Sequence, residues 1–315
     1  MLNRRQLRVK VLQTLYAYNL SENKVVKSFE TKLLDSIDDV YEMYIWLLAL
    51  LTEVSEHVIT DAEERANKYL PTERDLNANL KLSQNKFILA LKENPSYILN
   101  VKKYKASWTF DPEIVKAIFT ELQASAQYEA YLSSEDVSMH AEKDIIKYIF
   151  KKIILVVPSV EQSFEEKFIN WQVDRPVLEA MVAKTFSNFQ SENGAENKLA
   201  QISPVWVEDR DFIVTLFQKT IAFDEQYQKL ISDKTKNWEA ERIALIDILL
   251  MKLALTEFIH FPEIPIKVSM NEYIEIAKEF STPKSNLFIN GILDKILAEL
   301  KSSGKIRKSG RGLIE

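Results

Sequence analysis

Apolar residues recur at helical spacing along most of this chain. "NRRQLRVKVLQTLYAYNLS" at 3–21 predicts a first helix with Leu7, Val11, Leu15 and Tyr18 on one face. Arg4 and Arg8 prolong that stripe towards the N-terminus, and Asn3 is placed to cap it. A second helical pattern runs from about Val25 to Leu70 and stops at Pro71, whereas residues 71–110 are polar and less periodic. Further helices are expected over 206–219, 224–235, 239–260, 269–280 and 284–301, with "FPEIP" at 261–265 breaking the chain by two prolines. "SMNE" at 269–272 has the spacing of a capping box, with Val268 and Tyr273 placed for a hydrophobic staple. Thr282-Pro283 reads as an N-cap followed by proline at the first helical position.

The pattern also repeats. "EKDIIKYIFKKII" at 142–154 aligns without gaps with "DRDFIVTLFQKTI" at 209–221, an offset of 67 residues. At the same offset "KFINWQVDRPVL" at 167–178 meets "KTKNWEAERIAL" at 234–245, pairing Trp171 with Trp238 and Arg175 with Arg242. A weaker third copy, "DPEIVKAIFTEL", occupies 111–122. The polar segment "SENGAENKLAQISP" at 191–204, with Gly194 and Pro204, suggests a boundary.

Composition sharpens this into an all-α expectation. Only five of 315 residues are glycine and nine are proline, while 46% are hydrophobic, enough for a substantial core. The absence of cysteine excludes disulfides and thiolate metal sites and suits a reducing, cytoplasmic setting. The longest apolar run, "MYIWLLALL" at 43–51, is too short to span a membrane and reads as part of a buried helix. His57, His140 and His260 have no neighbours at metal-ligand spacing, no glycine-rich phosphate loop is possible in the first 190 residues, and no G-x-S-x-G elbow occurs. No catalysis, metal or cofactor is expected.

Net charge is −5, but it is unevenly placed. Arg4, Arg5, Arg8 and Lys10 lie in an acid-free first twenty residues, and Lys301, Lys305, Arg307, Lys308 and Arg311 in an acid-free stretch at 301–312. Gly291 stands out within "SNLFINGILDK", since a mid-helix glycine costs roughly 1 kcal/mol relative to alanine. Phe288, Ile289, Ile292, Leu293, Ile296 and Leu300 form that helix's apolar face, and Gly291 projects opposite. The expectation is that a neighbouring helix approaches its backbone closely.

"NWEAERIALIDILLMKLALTEFI", "PEIPIKVSMNEYIEIAKEFS" and "SNLFINGILDKI" resemble the NusB family of bacterial transcription antitermination factors. "RRQLRVKVLQTLYAY" is similar to that family's arginine-rich first helix. The resemblance covers about residues 1–30 and 205–300. It implies two small helical subdomains packed across one another, and binding of the single-stranded boxA element of ribosomal RNA transcripts. It further implies the ribosomal protein NusE as co-ligand and the transcribing RNA polymerase complex as the place of action.

Residues 35–200 have no counterpart in the compact family pattern. The chain divides accordingly into an N-terminal helical segment, 1–70, a helical insertion, 71–200, a NusB-like bundle, 201–303, and a flexible basic tail, 304–315. Single-stranded RNA needs cations for its phosphates and aromatic or amide groups for its bases. The first helix offers Arg4, Arg5, Arg8, Gln13 and Tyr16, and the last offers Ser285, Asn286 and Asn290 with Phe280 and Phe288 nearby. Asp247 interrupts an apolar run and matches an acidic position of the family's partner surface, which assigns it and Met251 to NusE. Lys284 stands where the family often has an acidic residue. The alternative is a helical protein–protein scaffold that keeps the fold without strong RNA binding.

Overall fold

The structure, a computed structural model, describes residues 1–235 and 243–313. The start of the helix expected at 239, with Asn237, Trp238 and Arg242, lies outside the described residues. The described part is all-α, with no strand among its residues.

Helix α1, Arg4–Leu20, opens with a reciprocal cap: Gln6 N donates to Asn3 Oδ1 at 3.0 Å and Asn3 N to Gln6 Oε1 at 2.8 Å. Helix α2, Val26–Ala66, follows. It is long and apolar enough to pass for a membrane span by composition, yet 67% of its most apolar window is buried, as in a core helix. Residues 43–51 are indeed interior, with Met43, Tyr44, Leu47, Leu48, Leu50 and Leu51 at 0% exposure.

Residues 71–110 are more ordered than their pattern suggests. Helices α3, Glu73–Leu76, α4, Lys86–Lys92, and α5, Pro95–Tyr104, are each started by a local cap: Thr72 bonding Asp75, Asn85 bonding Phe87 and Ile88, and Asn94 ahead of Pro95. Then come α6, Pro112–Gln123, α7, Ala126–Ser133, α8, Met139–Tyr148 with a π-helical turn at Ile149–Ile154, α9, Pro158–Lys167, and α10, Trp171–Asn188. The last five are α11, Trp206–Ala222, α12, Asp224–Lys234, α13, Leu245–His260, α14, Ile266–Phe280, and α15, Ser285–Ser302.

These elements form two compact units. Unit 1 comprises Met1 and residues 38–204; unit 2 comprises 2–37 and 205–315. The divisions fall at 37/38, inside the continuous helix α2, and at 204/205.

Within unit 2, α13 is the central element. It packs on α1, α11, α12, α14 and α15, and every residue from Leu249 to Phe258 is buried. A helix apolar on all sides belongs in a core, where each large side chain contributes about 1.5–3 kcal/mol.

The 67-residue repeat recurs in the helix ends. The span from Met139 to Ile154 maps onto 206–221, against Trp206–Ala222 for α11, and α9 maps onto 225–234, against Asp224–Lys234 for α12. Ile145, Ile146, Ile149, Phe150, Val160 and Phe164 are buried, and so are their counterparts Phe212, Ile213, Leu216, Phe217, Tyr227 and Ile231.

Three local expectations are corrected. Helix α14 starts at Ile266 behind Pro265, so Ser269 lies inside it and donates to Glu257 Oε2 at 2.6 Å instead of capping; Val268 is exposed. Helix α15 starts at Ser285, with Thr282-Pro283 in the preceding turn. The basic tail is docked, not free, as far as residue 313. Ser309 N donates to Pro262 O at 3.0 Å, and Lys308 Nζ to Glu257 O and Phe261 O at 3.1 and 2.8 Å. Gly312 is seated so tightly that a Cβ there would stand 1.8 Å from Pro262 O.

Candidate nucleic-acid interface

The sites expected at the surface of α1 grade from exposed to buried within two turns. The Arg4 side chain is 42% exposed; its Nε lies 2.8 Å from Asp209 Oδ1 and its guanidinium 4.4 Å from the Phe212 ring centroid. Arg5, 43% exposed, makes a two-pronged bond to Glu272, with Nε and Nη2 at 3.0 and 2.9 Å. That hydrogen bond holds the Arg5 guanidinium more firmly protonated than usual, with burial working against it. Both side chains keep a water-facing part that a phosphate could reach.

Arg8 does not. It is 2% exposed, and its Nε and Nη2 donate to Glu257 Oε1 and Oε2 at 2.6 and 2.9 Å. Glu257, at 0% exposure, also accepts from Ser269 Oγ and Tyr273 OH, each at 2.6 Å. Burial works against the Arg8 charge, but the hydrogen bonds and charge of Glu257 outweigh it and raise its pKa. Burial and then the Glu257 charge push the Tyr273 hydroxyl well above its ordinary range, so it stays a donor. The expected phosphate contact at Arg8 is therefore a core ion pair tying α1 to α13 and α14.

Further along α1, Gln13 is half-buried and Tyr16 is exposed. At the head of α15 a second polar cluster forms. Ser281 Oγ donates to Asp247 Oδ1 at 2.5 Å and Ser285 Oγ to Asp247 Oδ2 at 2.8 Å, with Thr282 Oγ1 2.7 Å from Ser285 Oγ. Asp247 and Ser285 are buried, and Met251 is fully so. None of the three offers a surface contact. Asp247 instead clamps the 281–285 turn, holding Thr282, Pro283 and Lys284 out in solvent.

Phe280, Asn286, Phe288 and Asn290 are half-buried, and Asn290 Nδ2 donates to Asp294 Oδ2 at 3.2 Å. Leu287 is 73% exposed on the same helix. Gly291 is also exposed, with nothing within 4 Å of where its Cβ would be. The expected close approach of a neighbouring helix is thus absent, because α15 docks through Ile289, Ile292, Leu293, Ile296 and Leu300.

The residues that sequence reasoning missed are the acids. Glu257 sits in the same apolar run as Asp247, and an isolated carboxylate there signals a buried partner as clearly as Asp247 did. Glu272 was assigned to a cap, which hid its role opposite Arg5. Among the described residues no group of three or more His, Asp or Glu side chains could hold a metal ion.

Residues 176–298 match the model of the NusB family. That span runs from within α10 to within α15 and leaves out α1, so the likeness of residues 1–30 rests on their own motif and on α1 packing against α11, α13 and α14. The transcription antitermination protein NusB of Salinibacter ruber is 40% identical over 144 residues, 44% of this chain and 90% of that protein. The Chloroherpeton thalassium protein of the same name is 43% identical over 109 residues, 35% of this chain and 52% of its own length. That of Natranaerobius thermophilus is 34% identical over 113 residues, 36% and 81% respectively. No solved structure matches the chain.

Proposed function

The chain belongs to the NusB family, and we propose that it is a transcription antitermination factor that binds boxA-like single-stranded RNA of ribosomal RNA transcripts together with the ribosomal protein NusE. The observation that carries this reading is the segregation of charge. Unit 2 holds 23 Lys and Arg against 20 Asp and Glu, a net +3, whereas unit 1 holds 18 against 26, a net −8. A polyanion is drawn to the first and repelled by the second.

On unit 2 the groups available to RNA are Arg4 and Arg5, Tyr16, Lys284, and the amide of Asn290. Arg4 and Arg5 each face a carboxylate, so an arriving phosphate exchanges one anionic partner for another. Arg8 supports α1 from beneath. Asp247 reaches NusE only through the 281–285 turn that it holds in place, and Met251, fully buried, only through the packing of α13.

The test is fluorescence anisotropy of labelled boxA-like RNA titrated with the full chain, with and without NusE. Tighter binding with NusE, and weaker binding of a shuffled RNA, is expected. Equal affinity for both RNAs with no response to NusE contradicts the reading. The alternative reading is a protein-binding scaffold that keeps the fold without strong RNA binding. NusE binding without any RNA affinity would select it.

A further inference from the structure

Within unit 2, α14, α15 and the docked C-terminal segment enclose a groove of about 620 Å³. Its walls are aliphatic, from Ile266, Met270, Leu297 and Ile306, and its rim carries Lys267 and Lys301. Asp294 is the one acid lining it.

The outer wall is a specified part of the fold. Lys308 caps the carbonyls at the end of α13, Ser309 bonds Pro262, and Gly312 occupies a seat that no side chain can share. Cations follow along that wall: Lys305, Arg307 and Arg311 are exposed, and residues 301–311 contain no acid.

An aliphatic trough with a cationic rim needs an occupant that is apolar on one side and anionic on the other. Two polyanionic classes have the charge, and the floor separates them. Single-stranded RNA gains most of its non-ionic affinity by stacking bases on aromatic rings, and no aromatic side chain lines this groove. A helix that buries leucines between aliphatic side chains while its glutamates meet lysines fits both features. Methionine, flexible and polarizable, suits the floor of such a seat.

We propose that this groove is a docking site for an acidic amphipathic helix of a partner protein, separate from the RNA-binding groups of α1 and the head of α15. It does not depend on the RNA reading. A partner so held would be carried by unit 2 on a surface that leaves Arg4, Arg5 and the 282–284 turn uncovered.

The probe is a fluorescein-labelled amphipathic peptide with leucines at helical spacing and glutamates elsewhere. Its binding to the full chain is followed by anisotropy and by the methyl NMR signal of Met270. The expected result is saturable binding with a shifted Met270 methyl, and none for the peptide with lysines in place of glutamates. Lys267→Glu, on an exposed side chain, should weaken binding roughly tenfold. Gly312→Ala, which unseats the C-terminal segment, should do likewise. Failure of the acidic peptide to bind overturns the proposal, as does affinity indifferent to both substitutions. Displacement of the peptide by single-stranded RNA, with the same Met270 shift, also overturns it and makes the groove part of the RNA site.

Discussion

Replacing Arg8 with methionine separates a structural from a contact role for the arginine-rich helix. The substitution keeps most of the side-chain volume but removes the guanidinium that closes two hydrogen bonds of 2.6 and 2.9 Å on Glu257. Glu257 is at 0% exposure and would keep only Ser269 Oγ and Tyr273 OH. Leaving one partner of a buried ion pair uncompensated costs about 3–5 kcal/mol, a large part of the 5–15 kcal/mol that typically holds a domain together. With a urea dependence of about 2 kcal/mol per molar, the midpoint for unit 2 should fall by roughly 2 M. Because the chain has two units, the loss should be read by hydrogen exchange in α1 and α13 as well as by a global signal. Adding Glu257→Leu should recover part of the loss, but not all, since Ser269 and Tyr273 then lack their acceptor. A variant of unchanged stability whose only defect is weaker RNA binding would refute the argument and restore Arg8 as a contact.

Other outcomes follow from the same geometry. Gly291→Ala should raise the melting temperature, by about 1 kcal/mol of helix propensity, since nothing lies within 4 Å of the new methyl; a lower melting temperature contradicts the open surface. Asp247→Ala and Ser285→Ala should each loosen the 281–285 turn in hydrogen exchange, and the double variant should do little more than either; additive effects would mean the two do not act through their shared bond. Burial, and secondarily Lys219, lowers the pKa of His260, so its folded state takes up a proton at lower pH than the unfolded chain. Unit 2 should therefore lose stability as pH falls below about 6.5, and His260→Phe should flatten that slope; an unchanged slope assigns it elsewhere.

The helices of unit 2 were legible because their apolar periodicity is strong. Expected spans of 224–235 and 284–301 became Asp224–Lys234 and Ser285–Ser302. Where spacing alone was used, long-range chemistry intervened. Ser269 and Glu272 stand three apart as a capping box requires, but Glu257 from the preceding helix takes the hydroxyl and Arg5 takes the carboxylate. Charge counts showed that α1 is cationic, but not that a carboxylate 249 positions away meets Arg8 inside the core. The tail looked mobile because it is basic and glycine-containing, yet Gly312 is there for close contact with Pro262. In 71–110 the opposite held: weak periodicity hid helices that Asn85 and Asn94 announce by their capping geometry.

The central claim is that unit 2 binds single-stranded RNA through the exposed cations at the head of α1. Its most direct test is the salt dependence of RNA affinity, measured for the unaltered chain and for Arg4→Ala/Arg5→Ala. Each phosphate contact contributes about 0.7 to the slope of log affinity against log salt for a single strand. The account predicts that the double substitution lowers the magnitude of the slope by about 1.4 while circular dichroism and the melting of unit 1 stay the same. A slope unchanged by the loss of both arginines, or no measurable RNA affinity in the unaltered chain, would contradict it.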